Sequence, residues 1–377
     1  MPASASDQEG LLGLLKRQAD HLAIDSGKGV PLVRPGLITT LYFKLGHTPE
    51  IRGRIVDCFT RFYEAFRPVL QWQRSRHMRP LTPSTFAAGR RRALSMAADE
   101  SFQWSLASRP ESEVALYRLF VMSMAEGQAE LDRSCLKMVL PWTFLCEPDG
   151  VQRYEQWIRY LCGQVRAEHG FGGLACILPC EGQHYLSLEY PLTCQYRGLM
   201  VDPCPQVESL RLLNHIKGVS WYTVLGTHFV RRLGGSDQLR RRLSPCRDIV
   251  FHSYGGGLII RAGLAPQLLD QAQTLPAAYA LINKSIKPVR LQDESCLHPY
   301  NAFGSGFSEP GVYDWYARFD EKPKPPLDGG SRCTHSGYWF SNAMAGSRRY
   351  FSKGEVMLAF DPARPERTRW FWSEQND

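Results

Sequence analysis

VSWYTVLGTHFVRRLGGSDQLRRRLSPCRDIVFHSYGGGLIIRA, residues 219–262, holds the clearest succession of elements in the chain. Residues 219–226 are rich in β-branched and aromatic side chains and predict a strand. Gly234-Gly235-Ser236 opens a short helix through Leu243, with Ser236 as its cap. Residues 248–254 and 258–262 predict a hairpin joined by Gly255-Gly256-Gly257, because glycine takes the positive φ of a tight turn without steric cost. Further on, Pro276 begins a helix carrying Tyr279, Ile282 and Ile286, and Pro288 ends it. Strands and helices mix with no regular βαβ rhythm, so the fold class expected is α+β with antiparallel sheet.

The same signals extend upstream. Residues 8–24 predict a helix and residues 37–45 a strand. Thr48-Pro49 opens a helix whose stripe is Ile51, Ile55, Phe59, Phe62 and Phe66, at spacings of three and four. Residues 68–90 read as irregular. Residues 100–141 predict an antiparallel meander: alternation at Phe102, Trp104 and Leu106, again from Val114 to Met124 with Arg118 breaking the face, and again at Leu136, Met138 and Leu140. A helix over 113–126 competes with the middle strand. Asp149 starts a helix striped by Val151, Tyr154, Ile158, Leu161 and Val165, with Gln152 as capping partner. It is expected to end near Gly170, with Gly172 and Gly173 making the turn into a strand at 174–178. A helix over 183–194 follows.

Residues 321–330, EKPKPPLDGG, read as a linker. Beyond it Tyr338, Trp339, Phe340, Tyr350, Phe351, Phe360, Trp370, Phe371 and Trp372 crowd a tail of fewer than 60 residues, too short to support much of a core alone. The expected organisation is an N-terminal helix over 1–29, one large domain over 30–320, the linker, and an aromatic-rich β tail over 331–377 docked on the large domain.

At 377 residues, 44% hydrophobic and 22% charged, the chain has the balance of a globular protein. No apolar run approaches the ~20 residues of a membrane span, and MPASASDQEG has no export signal, so a cytoplasmic location is expected. Eleven cysteines without a CxxC predict reduced thiols and no metal. Between Arg52 and Arg92, ten arginines stand against Asp57 and Glu64, so this stretch alone carries the whole formal charge of +8. It reads as a solvated helix face followed by a charged loop. Binding to nucleic acid would want interleaved aromatics that it lacks.

The chain carries few signs of catalytic chemistry. There is no GxSxG elbow, no P-loop, no dinucleotide fingerprint and no HExxH. Cys333-Thr334-His335 adjoin in sequence, whereas catalytic Cys/His pairs meet through the fold. Asp314, Asp320, Glu321, Lys322 and Lys324 form a loose acid/lysine group, but they flank a proline-rich segment rather than rigid strands. The expectation is a binding protein with no catalytic residues, no metal and no cofactor. An uncharacterised hydrolase and a basic nucleic-acid-binding protein are the alternatives.

The stretch 219–290 resembles the TsiV-like family of type VI secretion immunity proteins, formerly a bacterial domain of unknown function. The resemblance rests on VSWYTVLGTHFVRRLGG, GGGLIIRAGLAPQLLD and YALINKSIKPVRL. Within them Trp221, Leu233, Gly234, Gly235, Ala262, Gly263, Pro266, Pro288, Val289 and Arg290 occupy the family's places. DWYARFD, residues 314–320, is similar to its closing Trp-x-x-Arg-Phe. GLITTLYF and KMVLPWTFL fit more loosely, so the resemblance spans about residues 30–320. The tail, CTHSGYWF…GSRRYFSKGEVM…RWFWSEQ, resembles a second immunity-associated signature, departing from it at DPARPERTRW. The resemblance implies a cognate type VI effector toxin as partner, often a nuclease, and no catalytic residues. Residues 298–320, HPYNAFGSGFSEPGVYDWYARFD, mix rigid aromatics with small residues, the composition of a binding loop. Tyr300, Phe303, Phe307, Glu309, Tyr313 and Asp314 are the expected toxin contacts, while Trp315 and Phe319 pack inward.

Overall fold

The computed structural model describes residues 5–129, 131–180, 185–202, 204–270, 273–291, 309–320, 326–341, 343–344 and 346–372. The elements run, in chain order, α1 (Ala5–Ala19), β1 (Ile24–Asp25), β2 (Pro31–Phe43), α2 (Pro49–Phe66), β3 (Trp72–Arg74), β4 (Met78–Pro80), α3 (Pro83–Ser95), β5 (Phe102–Ala107), β6 (Arg118–Ser123) and β7 (Ser134–Pro141). They continue with α4 (Gly150–Val165), β8 (His169–Ile177), α5 (Leu186–Gln195), α6 (Pro205–Glu208), β9 (Tyr222–Leu225), α7 (Thr227–Arg232), α8 (Ser236–Leu243), β10 (Ile249–Tyr254), β11 (Gly257–Ala262), α9 (Ala277–Ile286) and α10 (Glu309–Tyr316). The last strands are β12 (Leu327–Asp328), β13 (Gly337–Ser341), β14 (Arg349–Phe351) and β15 (Arg369–Trp372). Two compact units result, Met1–Asp320 and Glu321–Asp377. Among the described residues no helix is long and apolar enough to cross a membrane.

The first unit is an α+β structure on one antiparallel sheet, in the order β10-β11-β9-β8-β2-β7-β6-β5-β3-β4, with β1 added to β2. The long strand β2 is its spine and pairs with β7 on one side and β8 on the other. Successive side chains of a strand point to opposite faces. Leu37, Leu41 and Phe43 therefore join Phe59 and Phe62 of α2 and Tyr154 and Ile158 of α4 in the main core, while Ile38 and Tyr42 join Phe171, Met200, Val201 and Trp315 on the reverse face. A third apolar cluster fills the space between β9–β11 and the helices α7, α8 and α9.

Much of the local reading holds. Thr48 caps α2: its hydroxyl accepts from the Ile51 amide at 3.3 Å, and Pro49 occupies the first turn. Replacing Thr48 by Ala is expected to cost about 1 kcal/mol in urea unfolding, as loss of an N-cap does elsewhere. β5, β6 and β7 form the predicted meander, so the competing helix over 113–126 does not occur. The hairpin β10–β11 pairs Tyr254 with Gly257, which leaves a two-residue turn of Gly255 and Gly256 at φ of 43° and 88°.

Several expectations are corrected. Residues 68–90 hold β3, β4 and most of α3; strands this short and a Thr82 capping box give no long hydrophobic period. Gly170, Gly172 and Gly173 lie inside β8 rather than in a turn, because backbone and side chains crowd them: a Cβ on Gly170 would stand 2.3 Å from the Thr40 carbonyl. Asp149 sits in the left-handed region and makes no side-chain cap. Gly235, not Ser236, is the N-cap of α8. Leu327 and Asp328, read as linker, pair with β15.

The second unit is a four-stranded sheet in the order β12-β15-β13-β14. Its aromatics meet one another. Trp339, Phe351 and Trp370 cluster with Cys333 and Met357, and the Phe351 and Trp370 rings cross at 77° with centroids 4.9 Å apart.

Candidate functional site

The residues expected to contact a partner fall in two groups. Tyr300, Phe303 and Phe307 lie outside the described residues. Glu309, Tyr313 and Asp314 fall on α10, and Asp314 is exposed. Val312, Trp315 and Tyr316 of the same helix are buried on the reverse face of the sheet, and Phe319 is buried beside α9, so Trp315 and Phe319 do pack inward.

The closing Trp-x-x-Arg-Phe has a physical role. Arg318 donates to the carbonyls of Arg197, Trp315 and Val219, and its guanidinium stacks over Trp315 at 3.7 Å and Phe319 at 4.6 Å. Three carbonyls from separate segments thus converge on one planar cation. Arg290, at the end of the Pro-Val-Arg motif, donates to Asn283 at 2.7 Å and Asp320 at 2.9 Å, joining α9 to the end of the unit. Trp221 is buried and lies parallel to Tyr154, with centroids 5.6 Å apart. Gly234, Gly235 and Gly263 take φ of 90°, 92° and 84°, which disfavours any side chain there.

Beneath α10 the structure gathers a set of charges that the sequence did not announce. The cross-strand registers align Arg74, Ser105, Phe120, Lys137, Thr40 and Phe171 in one row across β3, β5, β6, β7, β2 and β8. Thr40 donates to Asp202 at 2.6 Å, and the Lys137 ammonium lies 3.0 Å from the same carboxylate. Lys217, wholly buried, donates to Glu208 at 2.5 Å and to the Val201 carbonyl, and lies 3.6 Å from Asp202. Its ammonium sits between the rings of Phe171 and Trp315, at 5.5 and 6.0 Å. Glu189 is also buried, and its Oε2 has no hydrogen-bond partner among the described residues. Burial pushes its carboxyl up to about 8, against the pull of Lys137 and Lys217. On the same face His169 accepts burial as a neutral ring: desolvation lowers it to about 3 although it meets the Leu212 carbonyl at 2.9 Å.

Beside this cluster the sheet face opens. On β3, β5 and β6 the side chains of Gln73, Trp104, Leu106, Leu119 and Val121 are buried under helices, whereas Arg74, Gln103, Arg118 and Met122 are half-buried on the reverse face. Arg74, Gln103 and Arg118 edge a hollow of 420 Å³, with Glu111, Phe120 and Lys137 also on its lining. Arg118 gave one trace in the sequence, as the charge breaking the face of its strand; nothing local marked Lys137, Asp202, Glu208 or Lys217.

The other sequence constellations dissolve. Cys333 is buried and bonds to the His335 carbonyl, while the His335 ring is exposed and meets Thr334. Asp320 is held by Arg290 and Asn283; Glu321, Lys322 and Lys324 lie outside the described residues. Among the described residues no His, Cys, Asp and Glu group is arranged to hold a metal ion. The arginines of 52–92 are not one solvated face. Arg52 is buried and donates to the carbonyls of Met96, Ala97 and Glu100, Arg61 stacks over Tyr160 at 4.2 Å, and Arg74 pairs with Glu111 at 2.5 Å.

With this scaffold in view, comparison identifies the class. The chain matches the TsiV family, type VI immunity for VRR-NUC, over residues 54–319, and it belongs to that family. It is a type VI immunity protein, of the kind that neutralises a toxin. Among solved structures it is similar in fold to the Pseudomonas aeruginosa T6SS protein PA0821, with a TM-score of 0.71 and 24% identity over 83% of this chain and 91% of that one. Among curated proteins none matches significantly.

Proposed function

We propose that the chain binds a VRR-NUC nuclease toxin in the cytoplasm and blocks it, without turnover, metal or cofactor of its own. The family match carries this reading, since residues 54–319 span most of the first compact unit. The family's motif residues here set turns, fill the core and tie segments together, which is how a rigid binding scaffold is specified. Contact is made by the 300–314 segment: Tyr300, Phe303, Phe307 and Tyr313 supply aromatic area, and Glu309 and Asp314 supply charge facing a basic, DNA-binding groove. The anchoring of α10 through Trp315 and Tyr316, with Asp314 left exposed, supports that orientation.

The direct test is titration of the purified chain into the nuclease domain of the cognate toxin during plasmid degradation. Stoichiometric inhibition is expected, and undiminished cleavage at excess chain rejects the function. Changing Phe303, Phe307 and Tyr313 to alanine together is expected to weaken binding at least tenfold at an unchanged melting temperature. Unchanged affinity rejects this surface while leaving the function standing. Arg90 and Arg91 are exposed on α3, remote in sequence from the contact segment. Charge reversal of both is expected to change toxin affinity by no more than a few-fold.

A further inference from the structure

The hollow on the reverse face holds a cation that no carboxylate among the described residues matches. Arg74 is paired with Glu111 at 2.5 Å, and Lys137 with Asp202 at 3.0 Å. Arg118, from the neighbouring strand β6, is different. Its guanidinium contacts the Cys180 thiol and lies 5.2 Å from the centroid of the Phe120 ring, and among the described residues it has no carboxylate partner. A thiol is a weak acceptor and leaves most of the five guanidinium donors unused. Arg118 lines both the 420 Å³ hollow and a smaller pocket of 40 Å³ that reaches inward to Asp202 and Cys176.

The charges around it confirm the imbalance. Lys217 is matched by Glu208, and Lys137 by Asp202, so each buried cation nearby has its own carboxylate. Glu189, held neutral by burial below about pH 8, adds no compensating charge at neutral pH. The excess positive charge therefore rests on Arg118. The Phe120 ring lies 5.2 Å from the guanidinium carbon, and Gln103 and Gln206 share the same lining. A planar fork on a rigid strand, partly desolvated and facing a small-molecule-sized hollow, is the arrangement that recognises a planar or tetrahedral oxyanion.

We propose that Arg118, with Gln103, Lys137 and Gln206 around it, forms an oxyanion-binding pocket that takes a small carboxylate or phosphate ligand. This site lies on the sheet, apart in sequence from the 300–314 segment, and the proposal does not depend on the toxin reading.

The test uses the full chain with two probes, inorganic phosphate and citrate, each at 1–20 mM on the order expected for single-fork recognition. Sodium chloride at matched ionic strength is the control. One probe or both are expected to raise the melting temperature beyond the chloride control and to give saturable heats in calorimetry; the stronger probe tells phosphate from carboxylate. Arg118→Gln is expected to abolish saturation, and Arg118→Lys, which keeps the charge and loses the fork, to weaken binding about tenfold. Absence of saturable binding by either probe, or equal binding by wild type and a folded Arg118→Lys and Arg118→Gln pair, overturns the proposal.

Discussion

Replacing Lys217 by methionine is expected to lower the unfolding free energy by about 3–5 kcal/mol, the range found when one partner of a buried ion pair is removed. The ammonium is fully enclosed, donates to Glu208 and the Val201 carbonyl, and faces Asp202 at 3.6 Å. Without it Glu208 is left buried beside Asp202 with the nearest positive charge removed. The double change Lys217→Met with Glu208→Gln is therefore expected to be more stable than the single one, since it also removes the buried carboxylate that the ammonium had neutralised. Urea unfolding of the three proteins measures this. A single-variant loss below about 1 kcal/mol, or a double variant weaker than the single, shows that the cluster is not what holds this face together.

The second large effect is on pH dependence, and two buried groups oppose each other. His169 has its folded value lowered to about 3 from an ordinary 6.5, so its contribution is fully present above 6.5 and is lost as pH falls toward 3. Glu189 has its folded value raised to about 8 from an ordinary 4.5, so its contribution is fully present below 4.5 and is lost as pH rises through 8. Between 4.5 and 6.5 the two slopes cancel. Outside that window each costs a factor of about ten in the folded-to-unfolded ratio per pH unit. These two groups give a stability plateau from about pH 4.5 to 6.5, with a fall of about 2 kcal/mol by pH 8. Glu189→Gln is expected to remove the alkaline limb and to leave stability rising with pH up to 6.5. Chemical unfolding across pH 4–8.5 reads both limbs. If the wild-type and Glu189→Gln profiles are parallel, Glu189 is ionised in the folded protein.

Much of the scaffold was legible because its signals are local. The α2 stripe, the Thr48 cap and the Gly255-Gly256 turn each involve residues within a few positions of one another, so the chain carries them in plain order. The errors have one common source. Gly170 read as a helix end and Gly172 and Gly173 as a turn because glycine usually marks such places, yet here all three lie in a strand in close contact with its neighbours. The strands β3 and β4, at the end of the sheet, are three residues each, too short for alternation to register. Separately from these, the tail's aromatics cluster with one another around Trp339 and Trp370.

By itself the sequence determined the α+β class, the meander of β5, β6 and β7, the hairpin of β10 and β11, and the family, through glycines, prolines and Trp221 whose demands are met within their own turns and packing sites. Only the tertiary structure decided where the charges go. Arg74, Lys137 and Thr40 enter one row because β3, β7 and β2 are brought into a single sheet, and Asp202, Glu208 and Lys217 reach the cluster beside it from the α6 turn and its flanking segments. Strand order and register join residues far apart in the chain. A lysine bound for a buried pair and one bound for water are alike until that pairing is made.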